Sequence, residues 1–165
     1  MQTYIAILRG INVSGQKKIK MNSLKGLFES LGFSHVNTYI QSGNIVFNFE
    51  KIDQREISRL IEKELWLAYK YEVPCLVKTS RDFHFIFQNN PFLNVKQEDP
   101  SKLHVTFLRE KPNQEILKRI GPTVNNGDEF IISENVVYLF CPNGYGKTKF
   151  TNSFFENKLK TQATT

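Results

Sequence analysis

In the first half of the chain the apolar positions switch between strand spacing and helix spacing. Tyr4 to Leu8 is an apolar run that reads as a buried strand. A polar, glycine-bearing stretch from Arg9 to Lys20 follows it. Leu24, Leu27, Phe28 and Leu31 then fall at helical spacing, which predicts a helix from about Asn22 to Ser30 with Gly32 ending it. Val36, Thr38 and Ile40 alternate with Asn37, Tyr39 and Gln41. After the turn signal Ser42-Gly43-Asn44 the alternation resumes at Ile45, Phe47 and Phe49, so a hairpin is expected. Ile57, Leu60, Ile61, Leu65 and Ala68 form the stripe of an amphipathic helix, and Val73 to Thr79 reads as another strand. The order β-α-β-β-α-β is that of a split βαβ, ferredoxin-like unit.

The second half repeats most of that order. Arg81 to Gln88 reads as a short helix in which His84 sits among Phe83, Phe85 and Phe87, suggesting packing, and Asn89-Asn90-Pro91 breaks it. Leu103, Val105 and Phe107 mark a strand. Pro112 opens a helix carrying Ile116, Leu117 and Ile120, and Gly121-Pro122 closes it. Phe130 to Ile132 and Val136 to Phe140 read as a hairpin. Phe150, Phe154, Phe155 and Leu159 supply the apolar side of a last helix. The expected fold class is therefore α+β, with two ferredoxin-like βαββαβ subdomains, the second lacking its closing strand. The expected division is a first subdomain over 1–79, a linker with a short helix over 80–100, and an incomplete second subdomain over 101–165.

Composition narrows the class. At 165 residues with 40% hydrophobic and 23% charged positions, the chain is a globular protein with room for one ordinary domain or two small ones. Its 14 phenylalanines predict an aromatic core. Cys75 and Cys141 lie in apolar strand-like runs and read as buried free thiols of a reducing cytoplasm. Met1-Gln2-Thr3 leads straight into a strand, with no signal peptide and no run long enough to span a bilayer, so the expected location is cytoplasmic. The net charge of +6 is uneven. Arg9, Lys17, Lys18, Lys20 and Lys25 all precede Glu29, the first acidic residue, and Lys147, Lys149, Lys158 and Lys160 crowd the C-terminal end. Such local fields attract anions, although a solvated basic face would have the same composition.

The block Leu8-Arg9-Gly10-Ile11-Asn12-Val13, with Met21, Leu31-Gly32-Phe33 and Thr38-Tyr39-Ile40-Gln41-Ser42-Gly43-Asn44, closely resembles the uncharacterised bacterial family catalogued as domain of unknown function 1697. Asn90-Pro91-Phe92 and Gly144-Tyr145-Gly146-Lys147-Thr148-Lys149-Phe150-Thr151-Asn152 are similar to it as well, so the resemblance spans nearly the whole chain. It implies a small α+β protein of two ferredoxin-like subdomains and carries no assigned activity. Similar proteins continue past the equivalent of Ala163-Thr164-Thr165 into an Arg- and Trp-bearing segment, which is why a closing element is expected to be missing here.

In a sheet of order 4-1-3-2, the loop after strand one and the hairpin between strands two and three leave the same edge. The expected ligand-binding set is therefore Arg9, Asn12, Lys17, Lys18, Lys20, Gln41, Ser42 and Asn44. Arg9 would act as a phosphate or carboxylate fork, and the helix N-terminus beside the loop would favour an anion. The bland alternative is that Asn12, Ser42 and Asn44 only fix the backbone of a loop and a turn. A second candidate loop carries Asn143, Tyr145, Lys147 and Lys149. Phosphate-loop motifs fail: Gln16-Lys17 stands where Lys-Ser/Thr is needed after Gly10 and Gly15, and Cys141 replaces the first glycine before Gly146-Lys147-Thr148. Tyr4, Phe47 and Phe49 offer an RNA-stacking reading, but the strand lacks the basic, glycine-aromatic signature.

His35, His84 and His104 are scattered, and Asp82, Asp99 and Asp128 are isolated, so no metal, cofactor or catalytic residue is assigned. The leading function is binding of an anionic, phosphate-bearing ligand at the Arg9 loop, a nucleotide or a nucleic-acid backbone. The partners are then an anionic small molecule or nucleic acid, with no membrane partner. The alternative is a small enzyme acting on a phosphorylated or carboxylated metabolite in the same pocket, and a purely structural role stands third. The sequence sets no oligomeric state.

Overall fold

The computed structural model describes residues 1–165; only the side chain of Ser42, one of the candidate residues, lies outside the described part. The chain separates into two compact units, Met1–His84 and Phe85–Thr165. In the first, β1 (Gln2–Leu8), α1 (Met21–Ser30), β2 (Ser34–Tyr39), β3 (Asn44–Phe49), α2 (Gln54–Tyr69) and β4 (Cys75–Thr79) follow in turn. The sheet is antiparallel throughout, in the order β2-β3-β1-β4. Alternate strand residues, Tyr4, Ala6 and Leu8 on β1 and Ile45 and Phe47 on β3, pack with Leu24 and Phe28 of α1 and with Ile57, Ile61 and Leu65 of α2. The Phe47 ring stacks on Phe33 at 4.4 Å and meets Phe28 edge-on at 5.5 Å. The Tyr4 hydroxyl reaches the carbonyls of Glu50 and Ile52 and accepts from the Ile52 N–H, all at 3.2 Å. Tyr4 and Phe47 are thus core residues rather than an exposed stacking surface.

Helix α3 (Ser80–Gln88) crosses the division between the units. A capping box starts it: the Thr79 hydroxyl accepts from the Asp82 N–H at 3.1 Å, and Asp82 Oδ2 accepts from the Thr79 N–H at 2.8 Å. Ile86 is the buried residue of this helix, whereas Phe85 and Phe87 are each 65% exposed and His84 is exposed. His84, expected to pack among Phe83, Phe85 and Phe87, is instead exposed, as are Phe85 and Phe87, which lie off the helical face that Ile86 buries.

The second unit continues with α4 (Pro91–Asn94), β5 (Leu103–Leu108), α5 (Gln114–Lys118), β6 (Val124–Asn125), β7 (Asp128–Ser133), β8 (Val136–Phe140), α6 (Asn152–Leu159) and β9 (Ala163–Thr164). Its sheet is also antiparallel, in the order β6-β7-β8-β5-β9. Phe130 meets Phe150 at 4.7 Å and Phe155 at 5.2 Å in its core. The expectation that this half lacks its closing strand is overturned. Leu108 and Phe107 of β5 pair with Ala163 and Thr164. Lys160 ends α6 in a left-handed conformation (φ 56°), and Glu156 Oε1 receives the Ala163 N–H at 3.2 Å, which turns the chain back onto the sheet edge. A strand of 2 residues is too short for alternation to reveal. The 2-residue β6 escaped the sequence reading for the same reason.

The hairpin of β2 and β3 is joined by a 3₁₀ turn, Ile40–Ser42, and Gly43. Gly43 has φ +81°, and a Cβ placed on it would lie 2.9 Å from both Leu8 Cβ and Ile11 Cδ1. Gly43→Ala is expected to lower stability in urea by about 2 kcal/mol, adding a clash to a left-handed alanine. Ile40 also sits at φ 46° but is 65% exposed, so Ile40→Gly relieves strain and is expected to raise stability by about 1 kcal/mol. Equal effects of the two substitutions would show that the turn is not held against Leu8 and Ile11.

Asp82 supplies a pH test. Burial alone would raise its pKa, but hydrogen bonds from Thr79 and Gln54 and the charge of Lys78 hold it below the usual 3.8. A carboxylate depressed in the folded state stabilises fully above its unfolded pKa and loses that contribution as pH falls through the folded one. Asp82→Asn is therefore expected to cost about 1 kcal/mol at pH 7, with the gap to wild type closing below about pH 4 in urea titrations.

Candidate functional site

The Arg9–Lys20 segment is an ordered loop with an unusual density of left-handed residues. Gly10, Asn12, Ser14, Gly15 and Lys17 all have φ between 44° and 76°. The chain doubles back as a miniature hairpin: the Asn12 N–H donates to the Lys17 carbonyl at 3.2 Å and the Gln16 N–H to Val13 at 2.9 Å. Ser14 and Gly15 form its tip, and two successive positive φ values are what such a two-residue turn needs. Ile11 and Ile19 anchor the loop in the core, 1% and 3% exposed.

Asn12 ties the base of this loop. Its Oδ1 accepts from the Ile19 N–H at 2.9 Å, and its Nδ2 donates to the carbonyls of Ile19 at 3.0 Å and Gln41 at 3.3 Å. The amide donors are spent on backbone, so Asn12 positions the site, and it joins the loop to the β2–β3 connection. The Lys17 ammonium donates to the Glu72 carbonyl. Arg9 is half-buried and its N–H donates to the Pro74 carbonyl at 2.9 Å. Asn44 begins β3 and pairs with Ile7 and Tyr39.

Between the loop and the start of α1 lies a pocket of about 440 Å³ lined by Asn12, Gly15, Lys18, Ile19, Lys20, Met21 and Gln41. Of the expected set, Asn12, Lys18, Lys20 and Gln41 meet there, whereas Arg9, Lys17 and Asn44 are not among its lining residues. The Lys18 side chain passes over Gly15, its Cε 3.8 Å from where a Cβ on that residue would stand. Lys20 is the N-cap of α1 and makes no side-chain cap hydrogen bond, and the first turn holds no acidic residue. The helix therefore presents uncapped N–H groups and the positive end of its dipole beside two lysines. Gly15, Ile19 and Met21 line the pocket but were missed by the sequence reading, because none of these residue types signals ligand chemistry by itself.

The second candidate loop is otherwise engaged. Asn143 Nδ2 donates to the Asn126 carbonyl at 3.5 Å, and the Tyr145 hydroxyl donates to Thr165 Oγ1 at 3.0 Å while its ring lies 5.0 Å from that of His104. Lys147 and Lys149 are exposed on this loop. Burial pushes the Cys141 thiol above its usual range, with a hydrogen bond from Thr148 opposing and Asp128 reinforcing the shift. Burial holds half-buried His104 below the usual imidazole range.

The isolated carboxylates have local duties. Asp82 caps α3 and Asp99 accepts from the Ser101 N–H at 2.9 Å, while Asp128 is buried with Oδ1 lacking a hydrogen-bond partner among the described residues. Among the described residues no group of three or more His, Cys, Asp or Glu side chains is placed to hold a metal ion, and no helix is long and apolar enough to cross a membrane. The described lining of the pocket includes no carboxylate, imidazole or thiol.

The molecule is thus an α+β protein of two antiparallel-sheet units, with a lysine-lined pocket on the first. It belongs to the uncharacterised family described as Protein of unknown function (DUF1697), whose model matches residues 1–138. No curated protein matches the chain. Among solved structures, a conserved bacterial protein from Streptococcus pneumoniae is similar in fold, with a TM-score of 0.70 at 20% identity over 99% of this chain and 92% of that one.

The placement of Asn12 has a measurable consequence. Asn12→Ala removes three hydrogen bonds that close the loop. It is expected to cost about 2 kcal/mol in urea unfolding and to speed amide exchange at Ile19, since the Ile19 N–H loses its acceptor. Unchanged exchange at Ile19 would show that the loop holds itself without Asn12.

Proposed function

We propose that the pocket between the Arg9–Lys20 loop and α1 binds an anionic, phosphate-bearing ligand, and that each half of the chain is a ferredoxin-like unit. The order β2-β3-β1-β4 supports the first unit and β7-β8-β5-β9 parallels it in the second. In this reading 1–79 and 101–165 are the two subdomains and 80–100 joins them. The observation that carries the binding function is the convergence of Lys18, Lys20 and an uncapped, acid-free α1 N-terminus on one concavity. Cationic side chains and helix N–H groups favour an anion by charge and by hydrogen bonding together. Gln41 offers a neutral amide at the rim for orientation.

Binding leads over catalysis because the described lining supplies no residue with the chemistry of a general acid or base beyond the two lysines. The test is a calorimetric titration of the protein with inorganic pyrophosphate at two salt concentrations. Lys18→Glu and Lys20→Glu are each expected to weaken binding by about tenfold or more, and added salt to weaken wild type. Lys158→Glu, on α6, is expected to change affinity less than about twofold. Equal loss from all three reversals would assign the effect to net charge and defeat the pocket.

A further inference from the structure

We propose that this pocket takes a small phosphomonoester, an organic body of nucleoside size with one terminal phosphate, in preference to the phosphodiester backbone of a nucleic acid strand. The inference rests on the anion-binding reading of the pocket and narrows it. Counted along the sequence, the loop has charge enough for a polyanion track. Folding directs much of it away from the pocket: the Lys17 ammonium donates to the Glu72 carbonyl, Lys25 lies 3.8 Å from Glu29, and Arg9 is not among the lining residues. Lys18 and Lys20 are the cations on the lining. Two single positive charges balance one terminal phosphate, which carries roughly −1.5 to −2 at neutral pH. A strand is held instead by cations spaced along a groove that follows successive phosphates.

Size and wall chemistry agree with that count. A volume of about 440 Å³ falls in the range of small-ligand pockets, and a bare phosphate would leave most of it unfilled. Ile19 and Met21 provide apolar wall, and the Gln41 amide provides both a donor and an acceptor, which suits an organic body with a hydrogen-bonding edge. The stacking platform of a strand binder is missing from the central strands. Tyr4 and Phe47 are 1% and 0% exposed, and Phe49 packs on Phe33 at 4.8 Å. Tyr39 is exposed, but it is a single ring on the edge strand β2.

The experiment titrates the full chain, at one low salt concentration, with adenosine monophosphate, inorganic phosphate and a short oligothymidylate lacking a terminal phosphate. Adenosine monophosphate is expected to bind one to one, about tenfold or more tighter than either other probe. Lys18→Ala and Lys20→Ala are each expected to weaken it about tenfold, with the fold checked by circular dichroism. Oligothymidylate binding as tightly as the nucleotide, and weakened by the same variants, would overturn this inference while leaving the anion site standing. Inorganic phosphate binding as tightly as the nucleotide would equally overturn it, since the organic body would then contribute nothing. No binding of any probe, or nucleotide binding indifferent to both variants, would remove the anion reading along with it.

Discussion

Gly43 is the point at which the first unit closes on itself. Its carbonyl receives the Leu8 N–H at 3.0 Å, and its missing side chain leaves room for Leu8 and Ile11, whose atoms stand 2.9 Å from where a Cβ would be. That approach holds the end of β1 and the start of the loop against the β2–β3 connection. The Asn12 bridge to the Gln41 carbonyl is possible only because the two segments are already this close. The pocket is therefore built downstream of a steric fact about one glycine, and its polar residues refine a geometry that packing sets.

The loop shows how one backbone path gives neighbouring basic residues different positions. Left-handed residues at Asn12, Ser14, Gly15 and Lys17 fold the backbone into a short hairpin, and the three that are not glycine cost conformational energy that the anchors Ile11 and Ile19 offset by burial. The same fold sends Lys17 to a backbone carbonyl and Lys18 over Gly15. Neighbouring lysines thus acquire different duties. Charge density is read along the chain, whereas the backbone path decides which cations share a concavity.

The second unit relies on different contacts. Phe130, Phe150 and Phe155 supply an aromatic core, and the C-terminal residues fasten to it through hydroxyls: Thr165 Oγ1 lies 2.6 Å from Thr106 Oγ1, donates to Asn152 Oδ1 at 2.7 Å and receives Tyr145 at 3.0 Å. Tyr145 and Asn152 belong to the segment that the sequence marks most strongly in this half. Their conspicuous polarity serves this clasp, while the neighbouring Cys141 is buried.

The element order, the antiparallel first sheet and the aromatic core were legible in the sequence because each leaves a periodic trace. Burial of one face imposes spacing of two on β1 and β3 and helical spacing on α1 and α2, and the residues Tyr4, Phe47, Phe28, Ile57 and Ile61 record it. The capping box Thr79-Ser80-Arg81-Asp82 was equally readable as a motif, although Asp82 looked isolated without it. The strand β9 was not readable, since 2 residues carry no period and their pairing with β5 depends on where α6 turns. By itself the sequence determined the faces and their order, and it placed a basic, glycine-bearing loop beside the β2–β3 turn. Only the tertiary structure decided that Lys18, Lys20 and Gln41 line one pocket while Lys17 serves the backbone. Periodicity reports which side of an element is buried, whereas the direction of a long side chain on an irregular loop depends on contacts distant in the chain.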